Sequence, residues 1–405
     1  MPRYASLVSP APAADRYTEI DALRGFALFG ILLANLPFWV GIPFVPPELR
    51  QELSGGFTRE YFAIFFNGIL DGKFYTIFSL LFGLGFALQL ERPEARGAAG
   101  RAIFMRRMAV LLVFGLIHLS FIWSGDILTL YALLGFTLPL FRPLGDRALL
   151  VVAALLLFAV PVLGVWLLNT QDADWLKPLH EGSMALFVAA GGDPQADYFT
   201  ELSRGGWRDL MNRAASEWAF TFTDKLETWR IPKVLGTMLF GMWAGRKLLR
   251  GELLGNRHLL WSIALAGAAI ALPLHLVYVD QPLHAQTHWS SLFGTAPAGF
   301  AYAAAFLLAM PHLPRLEAAL APVGRMALTN YIATSVIFGF VFFGLGLGMM
   351  GRINLVQTYL GGLVLFAGMI ALSRWWLTAH RQGPLEALWR HLTYPAKPAA
   401  PLQTA

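Results

Sequence analysis

Residues 114–135 read FGLIHLSFIWSGDILTLYALLG, an apolar run interrupted by one histidine and one aspartate. Its length and apolarity, with a break at Ser124-Gly125-Asp126, read as two membrane helices meeting at a bend. His118 then lies about a turn and a half before that bend. Asp126 opens the second helix, where a carboxylate accepts free N–H groups and meets the positive end of the helix dipole. An ionisable residue inside a span is costly and marks a functional site by default, and here each residue is the natural partner of the other.

The composition agrees. Of 405 residues, 56% are hydrophobic and 14% charged, and the mean hydropathy is +0.54. That excludes a soluble protein and fits a polytopic membrane protein. The net charge of +6 does not point to nucleic acid, because the basic residues separate apolar runs instead of forming a patch with stacking aromatics. The chain contains no cysteine, which excludes disulfides, thiolate catalysis and cysteine-ligated metal. The expected partners are the lipid bilayer and a small molecule, with no nucleic acid. Oligomeric state is not read from the sequence.

Apolar runs of about twenty residues, the length that crosses a bilayer, lie near 22–42, 72–90, 103–123, 126–142, 148–168, 231–249, 259–279, 289–310, 324–347 and 354–377. The expected fold is therefore all-α, a polytopic bundle of about ten transmembrane helices. Connections on one side carry Arg106, Arg107, Arg142, Arg147, Arg246 and Arg381 among others, whereas the short connections opposite carry only Arg50, Arg59 and Arg352. The positive-inside rule then places both termini in the cytoplasm. Residues 1–25 hold no short apolar core followed by a small-residue cleavage site, so the first run is expected to be retained as a span.

This reading divides the chain into a disordered N-terminus (1–15), a first membrane half of five spans (16–168), a long external loop (169–230), a second half of five spans ending in a short cytoplasmic helix (231–394), and a disordered tail (395–405). The loop carries six basic and ten acidic residues. Helical patterning near 179–190 and 198–222 predicts amphipathic helices on the outer interface, positioned to cap a site between the spans or simply to join the halves. Residues 55–90 exceed one crossing, and a break at Asn67-Gly68 or Asp71-Gly72 would put Asp71 and Lys73 at the outer mouth. The glycines of 81–85 and 343–348 are expected to let helices approach closely.

Two constellations carry chemistry. Asp21, Arg24 and Asn35 open the first span. Asp21 pairs with Arg24 one turn away, and Asn35 shares the Arg24 face about 16 Å further along the axis. Arg24, with Arg106 and Arg107 at the start of the third span, offers bidentate donors to phosphates, although the positive-inside rule alone also puts arginines there. Near the outer end lie Asn35, Asp71, Lys73, His118, Asp126, His275 and Asp280, with His284 and His288 behind. No metal is expected, because tight ligand spacing is lacking apart from His284 and His288 in a loop. A histidine oriented by a carboxylate is the usual general base, and the plainer alternative is a buried pair that holds two helices together. No nucleophile elbow, phosphate loop or dinucleotide turn is present.

IDALRGFALFGILLAN, DGKFYTIFSLLFGLG, RRMAVLLVFGLIHLSFIWSGDILTLYALLG, GRMALTNY and GPLEALWRHLTY together resemble the YeiB family of bacterial inner-membrane proteins over residues 16–394. The C-terminal half of that family is known only as a domain of unknown function. The first half is also similar to the catalytic domain of heparan-α-glucosaminide N-acetyltransferase and, more distantly, to the membrane acyltransferase-3 proteins. Those enzymes pass an acyl group from cytoplasmic acyl-CoA to an acceptor sugar on the far side. The resemblance carries Asp21, Arg24, Gly25 and Asn35 onto the first-helix motif and Asp71 onto an aspartate at the next span. It carries over no catalytic histidine, since no histidine precedes His118.

The resemblance implies a multi-pass protein of the bacterial inner (plasma) membrane. The expected function is a transmembrane acyltransferase using acyl-CoA, without metal. Arg24, Arg106, Arg107 and Asp21 would hold the donor. His118 and Asp126 would act as base and orienter, Asn35 or Lys73 would stabilise the oxyanion, and Asp71, Lys73 and His275 would line the polar mouth. The alternatives are a transporter of a small amphipathic molecule using the same groups as a proton relay, or a non-catalytic scaffold. Against transport, inverted repeats and paired broken helices are not evident.

Overall fold

A computed structural model describes residues 17–91, 98–169, 175–282 and 285–394. The expected disordered ends, 1–15 and 395–405, lie outside these. Among the described residues every regular element is helical. The long helices are α1 (Thr18–Val40), α2 (Lys73–Leu90), α3 (Ala98–Phe121), α4 (Leu128–Gly135), α5 (Asp146–Leu167, with a π turn at Leu155–Ala159), α6 (Arg230–Leu249), α7 (Arg257–Tyr278), α8 (Trp289–Ala309), α9 (Pro314–Arg325), α10 (Ala327–Phe342), α11 (Leu355–Ala379) and α12 (Pro384–Thr393).

Among the described residues, seven helices are long and apolar enough to cross a membrane. The pair α9 and α10, bent by 79°, makes an eighth if counted as one span. The expected count of ten included two segments that fall short by this measure. Residues 126–142 break into α4 and a single turn at Leu138–Phe141. α6 carries Arg230, Lys233, Arg246 and Lys247, a polarity tolerated because α2 and α5 pack around it, away from lipid.

Small residues set the closest helix contacts. A Cβ on Gly83 of α2 would lie 1.8 Å from the Met238 carbonyl oxygen of α6, and one on Gly241 would lie 2.0 Å from that of Leu80, so the two backbones touch reciprocally. Gly25 of α1 and Gly324 of α9 do the same against Leu320 and Asp21. The glycines at 344, 346 and 348 differ from expectation: they lie in the turn that follows α10, not in a packed helix.

At the end of the bundle where α1 begins, ion pairs tie helix termini together. Arg246 reaches Glu91 at 3.2 Å and the carbonyl oxygens of Arg142 and Leu144, while Arg250 meets Asp146 at 2.7 Å. The predicted break before α2 is present at Asp71-Gly72, where Gly72 has φ +79°, a left-handed conformation that favours glycine. Between α5 and α6, helices Lys177–Ala189, Tyr198–Arg204, Trp207–Ala214 and Glu217–Glu227 cover the opposite end, with Trp207 and Trp218 exposed as interfacial aromatics are.

Candidate functional site

The His118 and Asp126 pair forms as the spacing predicts. α3 ends on the His118 carbonyl oxygen, which accepts from Ile122 and Trp123, and the chain then turns through Ser124 and Gly125. Asp126 accepts from the backbone N–H groups of Leu128 and Thr129, at 3.1 and 2.7 Å, and so caps α4. Its Oδ1 lies 3.0 Å from His118 Nδ1, and both side chains are fully enclosed. Nε2 of His118 has no hydrogen-bond partner among the described residues. With Nδ1–H donating to the carboxylate, the neutral ring presents Nε2 as an acceptor.

Two cavities approach this pair from opposite ends. The first, of about 360 Å³, opens where α1 begins and α2 ends; Arg24, Arg107, Arg325 and Arg390 line it, and it runs down over Phe82 and Met108 to Leu128, Tyr131 and Tyr331. The second, of about 340 Å³, opens where α1 and α3 end and is roofed by the helices between α5 and α6. Asn35, Ser124, Gly125, Arg213, Lys225 and Arg230 are among the residues lining it. Tyr331 and the Ser124-Gly125-Asp126 turn form the partition. The Tyr331 ring lies 5.0 Å from the His118 ring, and its hydroxyl points to the Gly125 carbonyl oxygen at 3.5 Å. Arg24 and Asn35, read from sequence as sharing a face, line the first and second cavities respectively.

The four candidate donor-binding residues separate. Arg24 is bonded to Asp21 at 2.6 Å, as predicted, at the rim of the first cavity. The Arg107 guanidinium lies 4.1 Å from the Trp389 ring centre, and the Trp389 indole N–H donates to the Arg107 carbonyl oxygen at 2.9 Å. Arg106, by contrast, is exposed and is not part of this wall.

The expected polar mouth is instead a closed knot. Asp71 accepts from the Tyr278 hydroxyl and from Gln286 at 2.9 Å. Lys73, fully buried, donates to the Asn67 carbonyl oxygen. His275 bonds the Ala271 carbonyl oxygen through Nδ1 at 2.8 Å. Partners far along the chain close over Asp71, and local carbonyl oxygens take Lys73 and His275, because buried polar groups must be paired. Arg230 connects the knot to the second cavity: it donates to Gln286 and lies over the Tyr75 ring at 4.9 Å. Asp280 is exposed, His288 caps α8, and His284 lies outside the described residues. No cluster of three metal-ligating side chains occurs among the described residues.

Sequence reasoning missed Tyr131 and Tyr331 at the bottom of the first cavity, and Arg213, Glu217 and Lys225 around the second. Burial raises the Glu217 carboxyl above its ordinary range, opposed by the Arg213 charge. Burial lowers the Lys225 ammonium, opposed by Asp224 at 2.8 Å.

A family model described as a protein of unknown function (DUF418) matches residues 244–396. The chain is 28% identical to uncharacterized protein YxaH of Bacillus subtilis (strain 168), over 96% of this chain and 97% of the relative. It is 29% identical to an uncharacterized 39.9 kDa protein in the amylase 3' region of Bacillus acidopullulyticus, over 96% and 97%. Uncharacterized protein YeiB of Escherichia coli (strain K12) is 30% identical over 94% of this chain and 96% of its own length. At that identity along nearly the whole of both chains, the protein belongs to the YeiB family.

Proposed function

We propose that this protein is a transmembrane acyltransferase of the bacterial inner membrane that takes an acyl group from cytoplasmic acyl-CoA and passes it to a hydroxyl or amine arriving from the other side. The observation that carries this reading is the His118–Asp126 pair, with its unpartnered Nε2, standing at the partition between two opposed cavities. The first cavity suits the donor. Arginines at its mouth match phosphates, and its apolar depth matches an acyl chain. The second cavity receives the acceptor.

In this mechanism Tyr331 turns aside and opens the partition. The acceptor oxygen or nitrogen attacks the thioester carbonyl carbon while His118 Nε2 takes its proton. The carbon–sulfur bond then breaks, and the protonated imidazole returns the proton to the departing thiolate. Asp126 holds the ring and balances its transient charge, the role that makes a carboxylate partner valuable to a histidine base. The Tyr331 hydroxyl on the donor side and Asn35 on the acceptor side would serve as donors to the oxyanion, whereas Lys73 is withdrawn by its bond to Asn67. Seven apolar helices and the positively charged cavity mouth support the membrane assignment and the inward orientation of that mouth.

The test uses purified full-length protein in lipid nanodiscs. Acetyl-CoA and longer acyl-CoAs are expected to bind saturably. His118→Ala is expected to retain that binding and to lose transfer to a panel of sugars, amines and alcohols. Absence of binding by every acyl-CoA overturns the proposal and favours transport between the same two cavities.

A further inference from the structure

The second cavity contains a cation that the acyl-transfer scheme leaves unused. Arg213, on the helix Trp207–Ala214, lines the cavity and lies over the Tyr198 ring at 5.5 Å. Its Nε and Nη1 atoms are enclosed and have no hydrogen-bond partner among the described residues. Guanidinium nitrogens enclosed in this way lose their hydration with no hydrogen bond in return, which is costly for any buried polar group and more so for a charged one. The Nε and Nη1 N–H groups leave the guanidinium on different sides, and each calls for an acceptor oxygen of the kind a carboxylate or phosphate supplies.

The surrounding charge favours the same ligand. Three cations, Arg213, Lys225 and Arg230, line the cavity with two carboxylates, Glu217 and Asp224, and Asp224 is bonded to Lys225 at 2.8 Å. Glu201 and Glu217 both act on Arg213 electrostatically, yet neither is recorded within ion-pair distance of it. The buried Glu217 carboxyl is shifted toward its neutral form, which reduces its competition for the guanidinium.

We propose that the second cavity is an anion-binding site, in which the guanidinium of Arg213 hydrogen-bonds the carboxylate or phosphate group of a small molecule while Lys225 and Arg230 supply positive field. Its further assignment as the acceptor, an anionic alcohol or amine, rests on the acyltransferase reading; the binding site itself does not. A soluble metabolite and a lipid headgroup both carry such an anion, and the two sources share this chemistry.

The experiment measures tryptophan-fluorescence melting of the full-length protein in phosphatidylcholine nanodiscs, titrated with inorganic phosphate and glycerol 3-phosphate at ionic strength fixed with chloride. Saturable stabilisation is expected. Arg213→Gln should weaken it at least tenfold and Arg213→Lys less, whereas Arg208→Gln, an exposed change on the same helix, should leave it intact. Glu217→Gln should tighten it. Stabilisation that persists unchanged in Arg213→Gln, or that chloride reproduces, overturns the proposal. If phosphatidylglycerol in the nanodisc competes with free phosphate, the anion comes on a lipid; if it does not, the ligand is soluble. Acyl-CoA binding measured on the same samples separates the two readings. Anion binding without acyl-CoA binding keeps the site and removes its role as acceptor, whereas acyl-CoA binding without anion binding does the reverse.

Discussion

Arg106 and Arg107 are adjacent in sequence, yet they occupy different surroundings, and their substitution is the sharpest available test of the proposed donor site. Arg107 forms part of the first cavity's wall and is held by the Trp389 ring at 4.1 Å, whereas Arg106 is exposed. Removing a charge-assisted hydrogen bond costs about 1.5–3 kcal/mol, which at 1.4 kcal/mol per decade is roughly 10- to 150-fold in affinity. Arg107→Ala should weaken CoA binding by that factor. Trp389→Ala leaves the charge but frees it. A cation–π contact of about 0.5–2 kcal/mol then sets a loss of roughly 2- to 30-fold. Arg24→Ala should fall below Arg107→Ala, because Asp21 at 2.6 Å already offsets part of the Arg24 charge. Arg106→Ala should change binding less than twofold, by analogy with exposed charges that contribute about 0–1 kcal/mol. Isothermal titration of CoA and acetyl-CoA into nanodisc-embedded protein reads all four. Equal losses in Arg106→Ala and Arg107→Ala, or no loss in a well-folded Arg107→Ala, would refute the argument.

Four further outcomes follow from the same geometry. Gly83→Ala should lower the melting temperature sharply, because its Cβ meets the Met238 carbonyl oxygen at 1.8 Å, while Gly85→Ala, with nothing within 4 Å, should be neutral or stabilising by up to about 1 kcal/mol. Glu386 of α12 accepts from Leu328 and Thr329 at 2.7 and 3.1 Å and so caps α10; Glu386→Ala should cost about 0.5–2 kcal/mol in thermal unfolding, and an unchanged melting curve would remove that role. Asp126→Asn keeps the volume of the α4 cap but favours the wrong imidazole tautomer, so transfer should fall by roughly 10²- to 10⁴-fold with CoA affinity unaltered; a parallel loss of CoA binding would instead mean a structural role. The Glu217 carboxyl is raised in the folded state, so its contribution to stability is present below pH 4.5 and is lost as pH rises through its folded pKa. Glu217→Gln should therefore gain stability relative to the parent as pH rises above 4.5 and through that folded pKa, and an identical pH dependence of melting in both proteins would contradict this.

The sequence made some of these features legible and hid others, for physical reasons. His118 and Asp126 stood out because two ionisable groups in an apolar run must satisfy each other, and a glycine turn between them made that local. The break at Asp71-Gly72 was visible for a similar reason, since the left-handed φ at Gly72 is a backbone property recorded in residue type. Its surroundings were not visible. Asp71 is closed over by Tyr278 and Gln286, which are 207 and 215 residues away, and no spacing rule reaches so far. Arg106 and Arg107 could not be told apart because the charge rule counts both, and only the rotation of α3 decides which one turns inward. α6 shows the same limit: it has the length of a span, and its four basic residues lower its apolarity, but the neighbours that pack around it are not visible to a sliding hydrophobicity pattern.

The expected division into two membrane halves joined by the loop 169–230 does not divide the candidate site. The first cavity takes Arg24, Phe82 and Arg107 from the first half and Tyr331, Trp389 and Arg390 from the second. The joins are specific. Gly25 and Gly324 each lie against backbone of the other helix, so α1 and α9 meet at their carbonyl oxygens. The bend after Arg325 is held by Asn330, which donates to Val323 and Ser373, and it turns Tyr331 onto the His118 ring. Glu386 then fixes α12 to the start of α10, which sets Trp389 under Arg107. Each link depends on a residue from GRMALTNY or GPLEALWRHLTY, motifs whose local chemistry is only packing and capping. Their contribution to the site is positional, since they bring a tyrosine and an arginine-binding tryptophan to a histidine and an arginine more than two hundred residues earlier in the chain.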